Sequence, residues 1–168
     1  MNIILIGFMG SGKSAVGHQL ARELGMDYLD TDEVIERTEK TSISRLFAEK
    51  GEPYFRDLET EVVRTLEDYD NFVISTGGGM VLRGENVRLL KEIGPLVLLW
   101  ADAGVIHERV RKQTHRPLLK VKDPRAEISK ILGKRAPVYK KVADHVVNTD
   151  KLDVDGCVKE IKEWLRSR

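Results

Sequence analysis

Two periodicities alternate along this chain. Short, mostly apolar runs occupy 3–6, 28–30, 72–75, 96–100 and 145–147, and each reads as a strand. Between them lie longer segments with apolar residues at helical spacing. Ala15, Val16, Leu20, Ala21 and Leu24 form one such face, closed by Gly25 as a C-cap. Leu58, Val62, Val63 and Leu66 form a second stripe, and Val87, Leu90 and Ile93 a third that stops at Gly94-Pro95. A closing amphipathic helix carries Val154, Val158, Ile161, Trp164 and Leu165, with Asp153 or Asp155 as its N-cap. Leu96-Val97-Leu98-Leu99-Trp100 shows no polar alternation, so the sheet it belongs to must be covered on both faces. The pattern predicts an α/β fold of three layers, a five-stranded parallel sheet flanked by helices, in a single domain over 1–168. Ligands of such sheets gather at the carboxyl ends of the strands, here after Ile6, Leu29, Ser75, Trp100 and Val147.

Bulk properties narrow the partners. A chain of 168 residues is one ordinary domain with room for a sizeable core. Its 28 basic and 27 acidic side chains leave a net charge of +1, which points to small molecules, not to nucleic acid or an anionic membrane surface. Cys157 has no disulfide partner and reads as a small apolar residue, which fits a reducing compartment. No run approaches the ~18 apolar residues of a membrane span, and the chain enters its first strand without a basic leader, so a cytoplasmic location is expected. His18, His107, His115 and His145 show no metal-ligand spacing. The most irregular stretch, 114–124, is rich in Lys, Arg, His and Pro.

The sharpest chemical signal is Gly7-Phe8-Met9-Gly10-Ser11-Gly12-Lys13-Ser14, a full GxxxxGK[ST] match between a strand and a helix. A glycine-rich turn feeding a helix gathers backbone N–H groups around one small volume at the positive end of the helix dipole, which suits a phosphate. Gly10, Ser11, Gly12, Lys13, Ser14 and Ala15 are therefore candidates to bind a nucleoside triphosphate. Lys13 would supply charge at the β- and γ-phosphates, and Ser14 a hydroxyl for Mg²⁺.

Three further constellations point to an acceptor. Asp30-Thr31-Asp32 ends the second strand, and if the strand runs on, both carboxylates face the same way. One could assist Mg²⁺ while the other orients an attacking hydroxyl and takes its proton; alternatively, Asp32 caps the helix that follows. Thr76-Gly77-Gly78-Gly79 follows the third strand, where consecutive glycines suit a close backbone approach to a ligand. Gly51-Glu52-Pro53-Tyr54-Phe55-Arg56 reads as a short loop between helices, from which a planar guanidinium could grip a carboxylate.

In order and spacing these pieces, with Arg116-Pro117-Leu118-Leu119 and Arg135-xxx-Tyr139, resemble shikimate kinase, of the P-loop group similar to nucleoside-monophosphate kinases. The resemblance spans nearly the whole chain. It implies a P-loop fold with an acceptor-binding helical segment near 32–60 and a mobile lid near 111–124. It also implies ATP-dependent, Mg²⁺-assisted phosphorylation of the 3-hydroxyl of shikimate by a monomer. On it, Asp32, Lys13 and Arg116 would be catalytic, and Ser14 and Asp30 would hold the metal. Asp32, Arg56, Gly77, Gly78, Gly79 and Arg135 would bind shikimate. Ile43, Phe47, Phe55, Pro117 and Leu118 would form apolar walls. Arg116 would close over the phosphates, and Arg109 with Asn148-Thr149-Asp150 would flank adenine. Ala15 stands where the family often has Thr, and Pro137 enters the helix beside Arg135. Rival readings are weaker: a gluconate- or nucleotide-kinase-like enzyme would need a different acceptor grip, and a nucleotide switch would need an NKxD motif that the chain lacks.

Overall fold

A computed structural model of the chain describes residues 1–113 and 120–168. The centre of the expected lid, with Arg116, Pro117 and Leu118, lies outside the described residues. Five strands, β1 (Ile3–Ile6), β2 (Asp27–Asp30), β3 (Phe72–Ser75), β4 (Leu96–Trp100) and β5 (His145–Asn148), form one sheet in the order β2-β3-β1-β4-β5. Every pairing is parallel, with Leu5 opposite both Ser75 and Val97. The helices are α1 (Lys13–Leu24), α2 (Thr31–Glu39), α3 (Ile43–Thr65), α4 (Gly84–Ile93), α5 (Ala103–Val110), α6 (Pro124–Val142) and α7 (Val154–Arg166).

Alternation along β1 builds the two halves of the core. Ile4 and Ile6 join Ile74, Leu96 and Leu98 under α3, α4 and α6, while Ile3 and Leu5 join Val73, Val97 and Leu99 under α1 and α7. All four β1 side chains are fully buried. A strand apolar at every position is thus explained by a sheet with helices on both faces. Each such side chain contributes roughly 1.5–3 kcal/mol by leaving water.

Helix ends follow local chemistry. Gly25 closes α1 at φ 66°, a left-handed conformation natural to glycine, and Met26 N–H reaches Ala21 O at 2.9 Å. Asp153 caps α7, accepting from Gly156 N–H at 2.8 Å. No helix among the described residues is long and apolar enough to cross a membrane.

Three expectations are corrected. The segment 51–56 is not a loop: α3 runs through it with one break, at Gly51 (φ 81°, ψ 168°). Pro53 falls in the first turn after that break, where a missing N–H costs nothing, and Arg56 stands on the helix proper. The second strand stops at Asp30, so Asp32 belongs to the first turn of α2 and not to an extended segment. Ala15 is exposed and does not belong to the buried face of α1. As expected, Pro137 lies within a helix: α6 runs through it, and the carbonyl that loses its partner belongs to exposed Gly133 and can meet water.

Candidate active site

The donor loop leaves the end of β1 and wraps the start of α1. Gly7, Gly10 and Gly12 take φ of 146°, 73° and 99°, values that L side chains rarely adopt. Space adds a second constraint at two of them: a Cβ would sit 2.5 Å from Leu99 O at Gly7 and 2.6 Å from Val110 Cγ1 at Gly10. Gly12 is the N-cap of α1 and supplies no capping side chain, so the first-turn N–H groups are left for a ligand. Lys13 Nζ donates back to Gly7 O at 2.7 Å and Phe8 O at 2.9 Å, which holds the amine over the loop it closes. Ser14 and Ala15 are exposed at the mouth. Ser11 differs from the other loop candidates: its side chain is buried and its N–H is committed to Phe8 O at 3.2 Å.

Phosphate loop and carboxylates share one cavity of about 330 Å³, to which Lys13, Ser14, Asp30, Asp32, Gly77 and Gly78 all contribute surface. The two aspartates arrive there by a route the strand pattern did not anticipate. Asp30, not Asp32, caps α2: its Oδ1 accepts from Asp32 N–H at 2.8 Å and Glu33 N–H at 3.4 Å. The cap fixes the first turn of α2, in which Asp32 lines the cavity. Thr31, fully buried between them, accepts from Gly77 N–H at 3.1 Å and pins the glycine run to the same turn.

Against the glycine run lie two guanidinium groups, those of Arg56 and Arg135. Arg56 is only 13% exposed and pairs with Glu59 at 2.6 Å and Glu52 at 3.1 Å on its own helix. Its ring neighbour is Phe55, 5.4 Å from the guanidinium. The glycines make room for both guanidinium groups: a Cβ on Gly79 would lie 2.5 Å from Arg56 Cζ, and one on Gly78 would lie 3.4 Å from Arg135 Nη1. On Gly77 it would meet Asp32 Oδ1 at 2.7 Å and Glu59 Oε2 at 2.8 Å. Arg135 projects from α6 and rests 5.5 Å from the centre of the Phe8 ring, in the donor loop. Phe47 and Phe55 pack together with centroids 4.8 Å apart; Phe55 is buried while Phe47 and Ile43 are half-buried.

Glu59 is the group that sequence reasoning missed. Its side chain is fully buried, with one oxygen on Arg56 and Oε2 without a hydrogen-bond partner. Burial pushes its carboxyl above the ordinary value, and the Arg56 charge opposes that push. Arg56 remains cationic: burial works against the charge, but Glu59 and Glu52 outweigh it. A carboxylate at position 59, next to Leu58 and three residues before Val62 on an apolar stripe, was the available signal. Tyr139 was seen only as part of a motif; its buried hydroxyl donates to Gly78 O at 2.5 Å.

On the donor flank, Arg109 Nη1 donates to Gly10 O at 3.1 Å and Thr149 Oγ1 at 3.0 Å, and Nη2 to Thr149 O at 2.8 Å. It stitches the turn after β5 to the phosphate loop. A second cavity of about 340 Å³ lies beside it, between Ala15, Arg109, Thr149 and Val154. Among the described residues no three His, Cys, Asp or Glu side chains group as a metal site. Ser14 with Asp30 instead fits a Mg²⁺ that arrives with nucleotide phosphates, since that ion keeps several waters and takes few protein ligands.

Comparison with known proteins agrees with this geometry. A sequence model of the family described as shikimate kinase matches residues 9–166. A shikimate kinase of Pelotomaculum thermopropionicum is 47% identical over 98% of this chain and 95% of its own length. One of Thermodesulfovibrio yellowstonii is 45% identical over 98% and 95%. Among solved structures, shikimate kinase from Acinetobacter baumannii in complex with shikimate superposes with a TM-score of 0.94 at 34% identity, covering 99% of this chain and 93% of that one.

Proposed function

The chain belongs to the shikimate kinase family, and we propose that it transfers the γ-phosphoryl group of ATP to the 3-hydroxyl of shikimate, releasing ADP and shikimate 3-phosphate. One observation carries the assignment of roles. The phosphate loop, the Asp32 carboxylate and Gly77–Gly78 line one cavity, and the same glycine run packs against the guanidinium groups of Arg56 and Arg135.

Phosphoryl transfer asks the protein for alignment and for charge cancellation more than for covalent chemistry. The first-turn amides of α1 and Lys13 receive the phosphates. Mg²⁺ bound with the nucleotide, held by Ser14 and through water by Asp30, would offset the charge on the β- and γ-oxygens. Arg56 and Arg135 grip the shikimate carboxylate, the planar fork of a guanidinium matching its two oxygens. The Gly77–Gly79 backbone approaches the ring hydroxyls, which side chains there would prevent. Asp32 orients the 3-hydroxyl and accepts its proton as the bond to phosphorus forms, a role that contributes about 10²–10⁴-fold. Arg109 and the Asn148-Thr149-Asp150 turn flank adenine. Arg116, outside the described residues, would stabilise the transferred charge, as the family resemblance implies. The protein works as a cytoplasmic monomer without nucleic-acid or membrane partners.

The test is ADP release with shikimate, gluconate, nucleoside monophosphates or buffer alone as acceptor. Stimulation by shikimate only is expected. Equal stimulation by gluconate or a nucleotide, or none by shikimate, overturns the assignment.

A further inference from the structure

The phenol of Tyr139 is fully buried and belongs to no step above. It stands one helical turn after Arg135 on the same face of α6, the i, i+4 relation that puts two side chains side by side. Its hydroxyl crosses to the glycine run and donates to Gly78 O at 2.5 Å. Arg135 meets the same glycine, its Nη1 3.4 Å from where a Gly78 Cβ would be. Gly78 thus contacts both side chains of this helix face, a phenol at its carbonyl and a guanidinium near its α-carbon.

The backbone of α6 makes such an anchor necessary. Pro137 lies between Arg135 and Tyr139 and has no N–H to give to the Gly133 carbonyl, so this turn lacks one rung of its own ladder. Gly133 adds no side chain to stiffen it. The turn that presents Arg135 is held less by the helix than its neighbours are, and the Tyr139–Gly78 bond is the fixed point on its inner face. Burial raises the phenol's pKa, and the Arg135 charge opposes that shift, so the hydroxyl stays a donor throughout the neutral range.

We propose that Tyr139 is a positioning residue for the acceptor: its bond to Gly78 O sets the separation between the Arg135 guanidinium and the glycine backbone, and thereby the grip on a hydroxylated carboxylic acid. This rests on the acceptor site described above. Arg135 takes one end of the acceptor and the glycine run the other, so a change in their separation weakens acceptor binding and leaves the nucleotide side alone.

The experiment compares the wild type with Tyr139→Phe, which keeps the ring in its core packing and removes only the hydroxyl. Shikimate affinity is read by calorimetry, and KM for shikimate and for ATP by ADP release. About a tenfold rise in the shikimate Kd and KM is expected, with the ATP KM within twofold. In an Arg135→Lys background the same change should cost less than threefold, because the residue it positions is already altered. Should Tyr139→Phe not fold alone, it is made in and compared with a Pro137→Ala parent, whose added N–H firms the turn, and at least a threefold rise in the shikimate Kd over that parent is expected. A shikimate Kd within twofold of its parent overturns the proposal. So do equal rises in both KM values, or full additivity with Arg135→Lys, each of which would mean general loosening. Failure of the wild type to phosphorylate shikimate would sink the functional assignment instead, and is scored separately.

Discussion

Gly79→Ala isolates the acceptor cradle from the stability of the fold. Gly79 has φ −98° and ψ 0°, a conformation alanine can adopt, so the backbone itself pays no penalty. The added methyl would sit 2.5 Å from Arg56 Cζ, well inside the ~3.5–4.0 Å of a carbon–carbon contact. Arg56 must yield by more than an ångström, and it is not free to swing into solvent, being 13% exposed and paired at 2.6 Å to a Glu59 side chain with no exposure. Any shift alters the guanidinium on which the proposed grip on a carboxylate depends. A hydrogen bond to a charged group contributes about 1.5–3 kcal/mol, and each ~1.4 kcal/mol is a factor of ten, so kcat/KM for shikimate should fall about 10- to 150-fold. The KM for ATP should stay within twofold. The assay is initial-rate ADP release with each substrate varied in turn, with Gly84→Ala as the control, since a Cβ there meets nothing within 4 Å. A shikimate kcat/KM within threefold of wild type would refute the reasoning, as would an equal loss for ATP.

Other substitutions separate catalysis, electrostatics and stability. Asp32→Asn should leave ATP binding nearly intact by calorimetry yet lower kcat by about 10²–10⁴-fold; turnover near wild type would remove Asp32 from its role as base. Glu59 titrates above its unfolded value because it is buried. Its contribution to stability is therefore complete below the ordinary carboxylate pKa and is lost as pH rises through the higher folded one. Relative to Glu59→Gln, the wild type should lose stability as pH rises above the ordinary carboxylate range, about 1.4 kcal/mol for each unit by which the pKa is raised. A Tm difference between the two that is flat across that range would contradict this. Gly133→Ala, at an exposed helical position where a Cβ meets nothing within 4 Å, should add ~0.5–1 kcal/mol, seen as a Tm increase of about 1–4 °C with unchanged kcat.

Five strands, their parallel arrangement and the phosphate loop were legible because each has a local signature: apolar runs without alternation, and glycines at positions that demand them. Arg56 was expected on a loop and Asp32 on an extended segment; they stand on α3 and in the first turn of α2. The pattern could not show that Gly51 alone breaks α3, because Glu52 to Arg56 carry both a proline and good helix formers. Nor could it show that the cap of α2 is Asp30: two aspartates two residues apart both suit an N-cap, and the choice depends on where pairing with β3 ends. The Glu59–Arg56 pair and the Tyr139–Gly78 bond were the least legible. The first pairs neighbours on one helix, but its worth comes from burial under other elements; the second spans 61 residues of sequence.

The adjacency of β1 and β3 has an evolutionary consequence. Donor loop and glycine run leave from two strands bonded to each other, Leu5 opposite Ser75, and Thr76 reaches across with both its N–H (3.0 Å) and its hydroxyl (3.1 Å) to Leu5 O. Paired strands lie about 4.8 Å apart whatever their side chains. The donor loop and the glycine run are therefore brought together by a spacing that mutation cannot easily change, while Asp32, Arg56 and Arg135, the residues we propose for the acceptor, sit on α2, α3 and α6. Acceptor preference can drift, or be redesigned, by rewriting those helices without renegotiating the distance over which phosphorus moves.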